Sequence, residues 1–211
     1  MTDGIYQNEG EIIAGAEPDK EPGDIRYVDA NNDGIINALD KTIIGDPNPD
    51  FVWGISSAVS YKGFELSMLW NGVQGRDVLN ANLNIEEELR GNGSNIRTEA
   101  WENRWTGEGT SDYYPRAHSY LFYGQVNDRL VEDASYVRLR NATLSYSLPA
   151  NKIRGVQSLR LYVTGINLIT ITDYRGWDPE VDSFNDNTRI AIDNNSYPAL
   201  KSYTFGINVG F

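Results

Sequence analysis

Residues 29–40 have the composition and spacing of an oxygen-ligand loop for a divalent cation. Their sequence is Asp-Ala-Asn-Asn-Asp-Gly-Ile-Ile-Asn-Ala-Leu-Asp, with a glycine at the sixth position for a sharp turn. The predicted ligands are side-chain oxygens and one backbone carbonyl, from Asp29, Asn31, Asp33, Asp40 and, through its carbonyl, Ile35. Hard cations bind such clustered oxygens, so the sequence predicts a structural Ca²⁺ site.

Two features limit what this loop can do. It closes with Asp40 rather than the longer glutamate, so bidentate closure is less assured and a lower affinity is expected. No convincing pair of helices flanks it, which predicts a lone loop pinned by metal rather than a paired sensor. The alternative is a turn without metal, because Asp, Asn and Gly also favour turns for backbone reasons.

Residues that could support catalysis are few. His118 is the only histidine and there is no cysteine, so a triad would depend on one residue in a polar loop. Glu86–Glu88, Glu99 and Glu102 could serve as glycosidase carboxylates, but consecutive acids in a loop are more often a solvated face. Gly91–Gly93 lacks the third glycine and the preceding strand of a phosphate-binding motif. The sequence therefore predicts no enzyme.

The long middle segment, residues 73–133, contains many aromatic side chains. They could stack on sugars or contact a partner, or they could pack the segment onto itself, which is the simpler interpretation. Loops of this length are usually functional. The residues are Trp101, Trp105, Tyr113, Tyr114, Tyr120, Phe122 and Tyr123.

The composition indicates that β-strands must position these residues. The 13 tyrosines, 5 tryptophans and 20 glycines, with many Asn and Asp residues, are typical of strands joined by turns. A net charge of −12 argues against nucleic-acid binding, which needs basic residues to neutralise phosphates. No apolar run reaches the roughly 20 residues of a transmembrane helix.

The run from Tyr203 to Phe211 shows the strand pattern most clearly. Its odd positions hold Tyr, Phe, Ile, Val and Phe, whereas its even positions hold Thr, Gly, Asn and Gly. Alternate side chains of a strand point to opposite faces, so one face is apolar and the other is small and polar. Further strands are predicted at 51–61, 64–71, 136–148 and 159–168, with a Lys62-Gly63 turn and short helices near 81–89 and 95–104.

Long and short connections alternate along the chain. The long ones are residues 1–50, 73–133 and 170–198, and the short ones are 62–63 and 149–158. An antiparallel meander then places all long loops on one side, as in outer-membrane barrels, and the strands are near the roughly 9–11 residues that cross hydrocarbon. The predicted fold is all-β: about five antiparallel strands of a transmembrane β-barrel within 51–211, with residues 1–50 forming a long extracellular loop that carries the calcium-like motif.

About eight strands are the smallest number that closes a barrel, so we expect this chain to be the carboxy-terminal piece of a larger barrel. On this hypothesis Phe211 is a true end and Met1 is not a true beginning.

Within the strand at 136–148, Arg138 and Arg140 share the parity of the apolar residues Ala142 and Leu144. That parity predicts a strand that continues beyond any apolar layer.

Several phrases, taken in order, resemble one family. The chain resembles the carboxy-terminal end of SusC/RagA-type TonB-linked outer-membrane transporters of Bacteroidetes. The resemblance implies a large barrel with a plug, surrounded by outer-membrane lipid and capped by a SusD-like lipoprotein. The phrases are GDIRY at 23–27, IGDPNPDF at 44–51, SYKGFELS at 60–67, NDRLVEDASYVRLRN at 127–141, LYVTGINL at 161–168, GWDPEV at 176–181 and the run 197–206.

The resemblance further implies import of glycans or peptides, driven through TonB by parts that this chain lacks, and an outer-membrane location. The alternative is a soluble secreted β-sandwich that serves as a binding or adhesion module with a calcium-stabilised loop. One observation separates the two hypotheses. In a sandwich the odd residues of 203–211 pack into a core, whereas in a barrel they face outward in a row with Leu144, Tyr146, Leu159 and Leu161.

Overall fold

A computed structural model describes residues 1–87, 89, 95–117, 126–149, 155–184 and 188–211. The chain forms two compact units. The strand unit consists of residues 47–77, 133–181 and 196–211, and the loop unit consists of residues 1–46, 78–132 and 182–195. The three long connections of the sequence therefore supply most of one unit instead of remaining separate loops.

The secondary structure is mainly β, with short helices. The strands are β1 (Thr2–Ile5), β2 (Ile25–Tyr27), β3 (Phe51–Tyr61), β4 (Phe64–Gln74), β5 (Asp77–Asn80), β6 (Val131–Asp133), β7 (Tyr136–Leu148), β8 (Ser158–Thr172), β9 (Ile192–Asp193) and β10 (Ser202–Gly210). The α-helices are α1 (Glu9–Ala14), α2 (Asn82–Glu86) and α3 (Thr98–Glu102), and 3-10 turns lie at Ala38–Asp40 and Asp128–Leu130. Within the described residues, no helix combines the length and apolar character needed to span a bilayer.

The strand unit is one antiparallel sheet in the order β3-β4-β7-β8-β10. The predicted all-β antiparallel fold is confirmed, and the bounds of β3 and β7 are as the sequence predicted. The strands β4 and β8 run several residues further than predicted, to Gln74 and Thr172. Within the described part of the chain, β3 and β10 form the two edges of an open sheet.

Strand register divides the sheet into an apolar and a polar side. Residues directly opposite on neighbouring antiparallel strands share a side. Reading across the strands therefore gives continuous rows of large apolar residues. The row nearest the β3–β4 turn is Tyr61, Phe64, Tyr146, Leu161 and Ile207, and the next row is Val59, Leu66, Leu144, Val163 and Phe205.

The turn between β3 and β4 has the geometry predicted for Lys62-Gly63. Both residues have positive φ, +48° and +88°, as in a type I′ hairpin turn whose twist matches that of the strands. A Cβ atom on Gly63 would lie 2.8 Å from the carbonyl oxygen of Ser147, so glycine is required both for its φ and for this approach.

A bulge at Arg140 overturns the parity argument for β7. Leu69 pairs with Asn141 and Trp70 with Leu139, so Arg140 is the extra residue of the ladder. Above the bulge the alternation is reversed, and Arg138, opposite Asn71 and Thr170, lies on the polar side. The prediction that Arg138 shares a face with Ala142 is therefore wrong, because one inserted residue moves every later side chain to the opposite face.

The loop unit holds two small sheets, β1 with β2 and β5 with β6 and β9. Gln7 ties its first segment to residues 105–111: its Oε1 accepts from Trp105 Nε1 at 3.2 Å and from the Gly109 N–H at 2.8 Å. Arg116 binds the carboxylates of Asp24 and Glu21.

The helices predicted near 81–89 and 95–104 are present as the shorter α2 and α3.

Candidate functional site

The apolar side of the strand unit is exposed along its whole width. Phe205 is 79% exposed and Ile207 is 66% exposed, and Leu66, Leu144 and Leu161 in the same rows are exposed as well. These side chains therefore do not lie in a core. Between Trp53 and Tyr61 the apolar positions of β3 extend over about 26 Å along the strand, at about 3.3 Å per residue.

The opposite side of the sheet is lined by hydroxyl, amide and charged groups. Arg160 donates to Glu65 Oε1 at 3.0 Å and to Ser145 Oγ at 2.9 Å, across three neighbouring strands. Thr143 and Thr164 hydroxyls lie 2.8 Å apart in the same layer. This side can exchange hydrogen bonds with water or with a polar solute, whereas the apolar side cannot.

A charged anchor lies on the polar side, beyond the bulge. Arg138 is 1% exposed, and its guanidinium donates to Asp178 Oδ1 at 2.6 Å and to Glu180 Oε2 at 2.9 Å. Glu180 Oε1 also accepts from Arg140 Nη2 at 2.6 Å and from the Tyr136 hydroxyl at 3.1 Å. These contacts fix the loop after β8, which carries the Gly176–Val181 phrase, onto β7.

The anchor changes the acidity of both carboxyl groups. Burial alone would raise the pKa of Asp178, but the N–H of Glu180 and the guanidinium of Arg138 outweigh it and lower that pKa below its ordinary value. Burial also acts to raise the pKa of Glu180, and here the hydrogen bond and charge of Arg140, with the charge of Arg138, lower it. Both groups are therefore held as carboxylates.

The sequence did not pair these residues. In the sequence, Arg138 and Arg140 stand out only because they share the strand parity of nearby apolar residues. Asp178 and Glu180 stand out only as part of the family-like segment GWDPEV at 176–181. The available signal was the opposite charge of two arginines in a strand and two acids that flank Pro179 in the next long loop. Opposite charge alone does not indicate which acid binds which arginine, because that depends on the register of the strands.

The calcium-like loop folds around its own backbone. Asp29 accepts the N–H groups of Asp33 at 3.2 Å and Gly34 at 2.7 Å, and Asn31 Oδ1 accepts the same Asp33 N–H at 2.9 Å. Asp33 in turn accepts from Ile35 N–H at 3.0 Å. Side chains at the first, third and fifth positions therefore converge on one turn, in which Gly34 has a φ of +83°.

Asp40 is buried at the end of this loop and closes it. Its oxygens accept the N–H groups of Ala30 at 3.0 Å and Asn37 at 2.7 Å. The Asn37 contact is the main reason that the pKa of the Asp40 carboxyl lies below its ordinary value. The Ile35 carbonyl accepts from the Asn37 side chain at 3.2 Å. An open cleft of about 630 Å³ adjoins the loop, between Tyr27 and Lys41.

These contacts bear on whether the residues fit a cation. Among the described residues, no three His, Cys, Asp or Glu side chains are gathered as a metal-binding group. The five predicted ligands nevertheless belong to one turn and its closing residue, and carboxylate oxygens that accept one N–H keep a second lone pair. The residues can therefore supply oxygen ligands, but a cation would compete with the backbone for them.

The other predicted candidates have ordinary roles where they are described. Glu86 binds Arg97 Nε at 2.6 Å, Trp105 packs on Gly23, and Tyr114 is buried with Leu89. The contacts of Glu86 and Tyr114 lie within the middle segment, whereas Trp105 contacts the first segment of the chain. Trp101 and Tyr113 are 46% and 41% exposed. His118, Glu88, Gly91–Gly93, Tyr120, Phe122 and Tyr123 lie outside the described residues.

Comparison with known proteins gives a consistent set of relatives, although no family model matches the sequence. TonB-dependent receptor P3 of Formosa agariphila is 37% identical over 217 residues, which cover 99% of this chain and 21% of the receptor. TonB-dependent receptor SusC of Bacteroides thetaiotaomicron is 29% identical over 200 residues, which cover 90% of this chain and 18% of SusC. The chain thus spans about a fifth of the length of these relatives.

Solved structures give the same result for the fold. A chain of the RagAB peptide importer in the open-open state is similar with a TM-score of 0.72 and 25% identity, over 100% of this chain and 22% of that one. The closed-closed state gives a TM-score of 0.74 at the same identity and coverage. The named relatives are receptors and importers, and none of those names describes an enzyme.

Proposed function

Because this chain is homologous over nearly its whole length to part of the SusC/RagA-type TonB-dependent receptors, we propose that it forms part of the wall and loops of an outer-membrane transporter. Its apolar side would face lipid, and its polar side would face the path of the transported solute. The strands at the two edges, β3 and β10, would pair with strands of the same transporter outside this chain.

The observation that carries this proposal is the exposed apolar side of the sheet. Continuous rows of Tyr, Phe, Leu, Ile and Val residues cross all five strands, and water is an unfavourable environment for so large an apolar surface. Hydrocarbon is the natural solvent for it. The alternative, a soluble secreted β-sandwich, requires Phe205 and Ile207 to be in a core, and both are exposed.

The finer parts of the proposal rest on the relatives. We propose that the complete transporter imports glycans or peptides, works with a SusD-like lipoprotein partner, and couples to TonB through a part outside this chain. The location would be the outer membrane of a Gram-negative bacterium of the Bacteroidetes. The relatives' names support import of peptides and dependence on TonB. The other assignments rest on the resemblance of the sequence to the SusC/RagA family. We also propose that loop 29–40 binds Ca²⁺ in a structural role.

Neighbouring residues of β8 provide a matched test of the lipid-facing side. Val163 lies on the apolar side between Leu144 and Phe205, whereas Thr164 lies on the polar side next to Thr143. An arginine at the lipid-facing position is expected to cost about 2–4 kcal/mol of folding free energy, and at the polar position far less. The measurement is unfolding in urea of the full-length protein inserted in lipid vesicles.

Val163→Arg should lower both the unfolding free energy and the amount of protein in the outer-membrane fraction, while Thr164→Arg should leave both near the wild-type values. Equal effects of the two substitutions, or a larger effect at Thr164, would contradict the proposal.

A further inference from the structure

A small cavity in the loop unit is lined by Arg129. Its volume is about 10 Å³, and it lies where strand β2, helix α2 and the 3-10 turn at Asp128–Leu130 meet. Leu83 is fully buried, and Glu87 and Asn127 are 4% and 2% exposed, so the cavity lies in the interior of the unit. The lining residues are Ile25, Leu83, Glu87, Asn127, Arg129 and Leu130.

Arg129 brings a hydrogen-bond donor without a partner to this cavity. Its Nη1 is shielded from solvent and makes no hydrogen bond to any residue that the structure describes. The guanidinium lies over the ring of Tyr113, 4.3 Å from its centroid, and the backbone N–H of Arg129 donates to Asn127 Oδ1 at 3.0 Å. These contacts hold Arg129 beside the cavity. A buried donor without an acceptor destabilises the folded state, so an acceptor outside the protein is expected.

Size and charge identify the acceptor. A cavity of about 10 Å³ is at the lower limit of the space that one water molecule needs, and it is too small for an organic ligand. The guanidinium of Arg129 disfavours a cation, and the acidic side chain of Glu87 disfavours an anion such as chloride. Empty cavities have apolar linings, whereas half of the residues that line this one are polar. Water is therefore the species that fits.

We propose that the cavity holds one buried water molecule, which accepts from Arg129 Nη1 and donates to the carboxyl group of Glu87 and to Asn127 Oδ1. A carboxyl or amide oxygen has two lone pairs, so each of these groups can accept from water and keep its present contact. The resulting three hydrogen bonds are the usual number for a buried water. This site is independent of the proposed transport function.

The water completes a polar connection between segments that are distant in sequence. Asn127 Nδ2 donates to the Tyr27 hydroxyl at 3.4 Å, which joins the 3-10 turn to the end of β2. Glu87 follows α2, and its N–H donates to the Leu83 carbonyl at 2.9 Å. Through the water, the turn is joined to the end of α2 as well, so the water is a structural component of the loop unit.

The test is a crystal structure of the complete transporter at a resolution that shows ordered water. We expect one spherical peak in the cavity, about 2.7–3.2 Å from Arg129 Nη1. A second crystal, soaked in sodium bromide, distinguishes water from a halide, because bromide gives an anomalous signal. We expect no anomalous peak in the cavity.

Two arginine variants provide a matched comparison. Arg129→Met removes the donor, and the occupancy of the peak should fall several-fold, because the water then loses one of its three partners. Arg104→Met is the control: Arg104 also stacks on an aromatic ring, that of Trp101 at 3.7 Å, but it does not line the cavity. This control should leave the peak unchanged.

Four results would overturn the inference: no peak in wild type, an anomalous bromide peak, a direct hydrogen bond from Arg129 Nη1 to a protein atom, or an unchanged peak in Arg129→Met. The wild-type crystals decide the first three even where Arg129→Met fails to fold. A dry cavity in protein that is located in the outer-membrane fraction contradicts only the water site and leaves the proposed function intact.

Discussion

At the scale of single residues, Arg138 shows how the fold stabilises a buried charged side chain. Its guanidinium is buried in strand β7, and the desolvation cost is offset by carboxylates of Asp178 and Glu180 that reach it from a loop 40 and 42 residues later in the chain. A buried pair of this kind contributes modestly while complete, but removal of one member leaves the other uncompensated. Arg138 therefore determines where the loop can lie.

Arg138→Met is expected to lower the free energy of unfolding by about 3 kcal/mol, because Asp178 and Glu180 lose a buried partner. Arg160→Met is the matched control: the same substitution on the same side of the sheet, at an ion pair with Glu65 whose side chains are 42% and 45% exposed. It should cost less than about 1 kcal/mol. Chemical unfolding of both variants in detergent measures the difference, and equal costs would contradict the role given to Arg138.

The pH dependence follows from the lowered pKa values of Asp178 and Glu180. A carboxyl group with a depressed pKa in the folded state stabilises that state above its unfolded pKa, near 4, and loses the contribution as pH falls through the folded pKa. The loop after β8 should therefore stay anchored at pH 5 to 8 and detach below about pH 4. Limited proteolysis within residues 173–181 across this range should show the change, and Arg138→Met should abolish it.

Ca²⁺ binding by loop 29–40 is the other prediction at this scale. The four side-chain ligands already accept backbone N–H groups, and the Ile35 carbonyl accepts the Asn37 side-chain amide. Binding must replace some of these contacts, so a weak dissociation constant of about 10⁻⁴ to 10⁻³ M is expected. Calorimetric titration of wild type should give a saturable signal that Asp33→Ala removes. Asp19→Ala, an exposed acid of the same unit, should behave as wild type. Identical titrations of wild type and Asp33→Ala would eliminate the site.

At the scale of elements, the β3–β4 hairpin depends on its two-residue turn. Gly63→Ala should destabilise it by about 1–2 kcal/mol, because alanine at positive φ is strained and its Cβ would approach the Ser147 carbonyl. Lys62→Asn should have the opposite sign, a gain of up to about 1 kcal/mol, since asparagine tolerates the φ of +48° that lysine adopts there. Urea unfolding of the two variants tests both signs, and a gain from Gly63→Ala would contradict the turn assignment.

The elements also show what sequence alone could predict. Alternation and the Lys62-Gly63 turn gave β3, β7 and the antiparallel sheet, because these signals are local. The bulge at Arg140 was missed, since one extra residue leaves the alternation on each side intact and becomes visible only in the register with β4 and β8. The anchor was missed for the same reason, as its charges are far apart in sequence. The turn of loop 29–40 is also local, and the side chains of Asp29, Asn31 and Asp33 accept backbone N–H groups within it, while Ca²⁺ binding there stays a prediction.

At the scale of the whole molecule, charge is distributed unevenly between the two units. The loop unit holds 23 of the 30 acidic residues and 9 of the 18 basic ones, a formal charge of −14. The strand unit holds the remaining 7 acidic and 9 basic residues, a charge of +2, and the two values add to the −12 of the chain. A calcium-like loop in the acidic unit is consistent with this distribution, because a negative field concentrates cations.

Unbalanced charge predicts that salt stabilises the loop unit. Raising the ionic strength from about 0.01 M to 0.15 M shortens the Debye length from about 30 Å to 8 Å and screens the repulsion among its surplus carboxylates. The same screening weakens pairs such as Arg116 with Glu21. Exposed pairs contribute less than about 1 kcal/mol each, however, and carboxylates outnumber basic groups in this unit by more than two to one, so the loss of repulsion dominates.

Amide hydrogen exchange measures this effect. Exchange at Tyr6 and Leu79, whose N–H groups bond to the Asp24 and Ala191 carbonyls, should slow in salt. Amides of Val163 and Leu144 in the strand unit serve as the control and should change little, so a salt response confined to them, or faster exchange at Tyr6, would contradict a loop unit dominated by its negative charge.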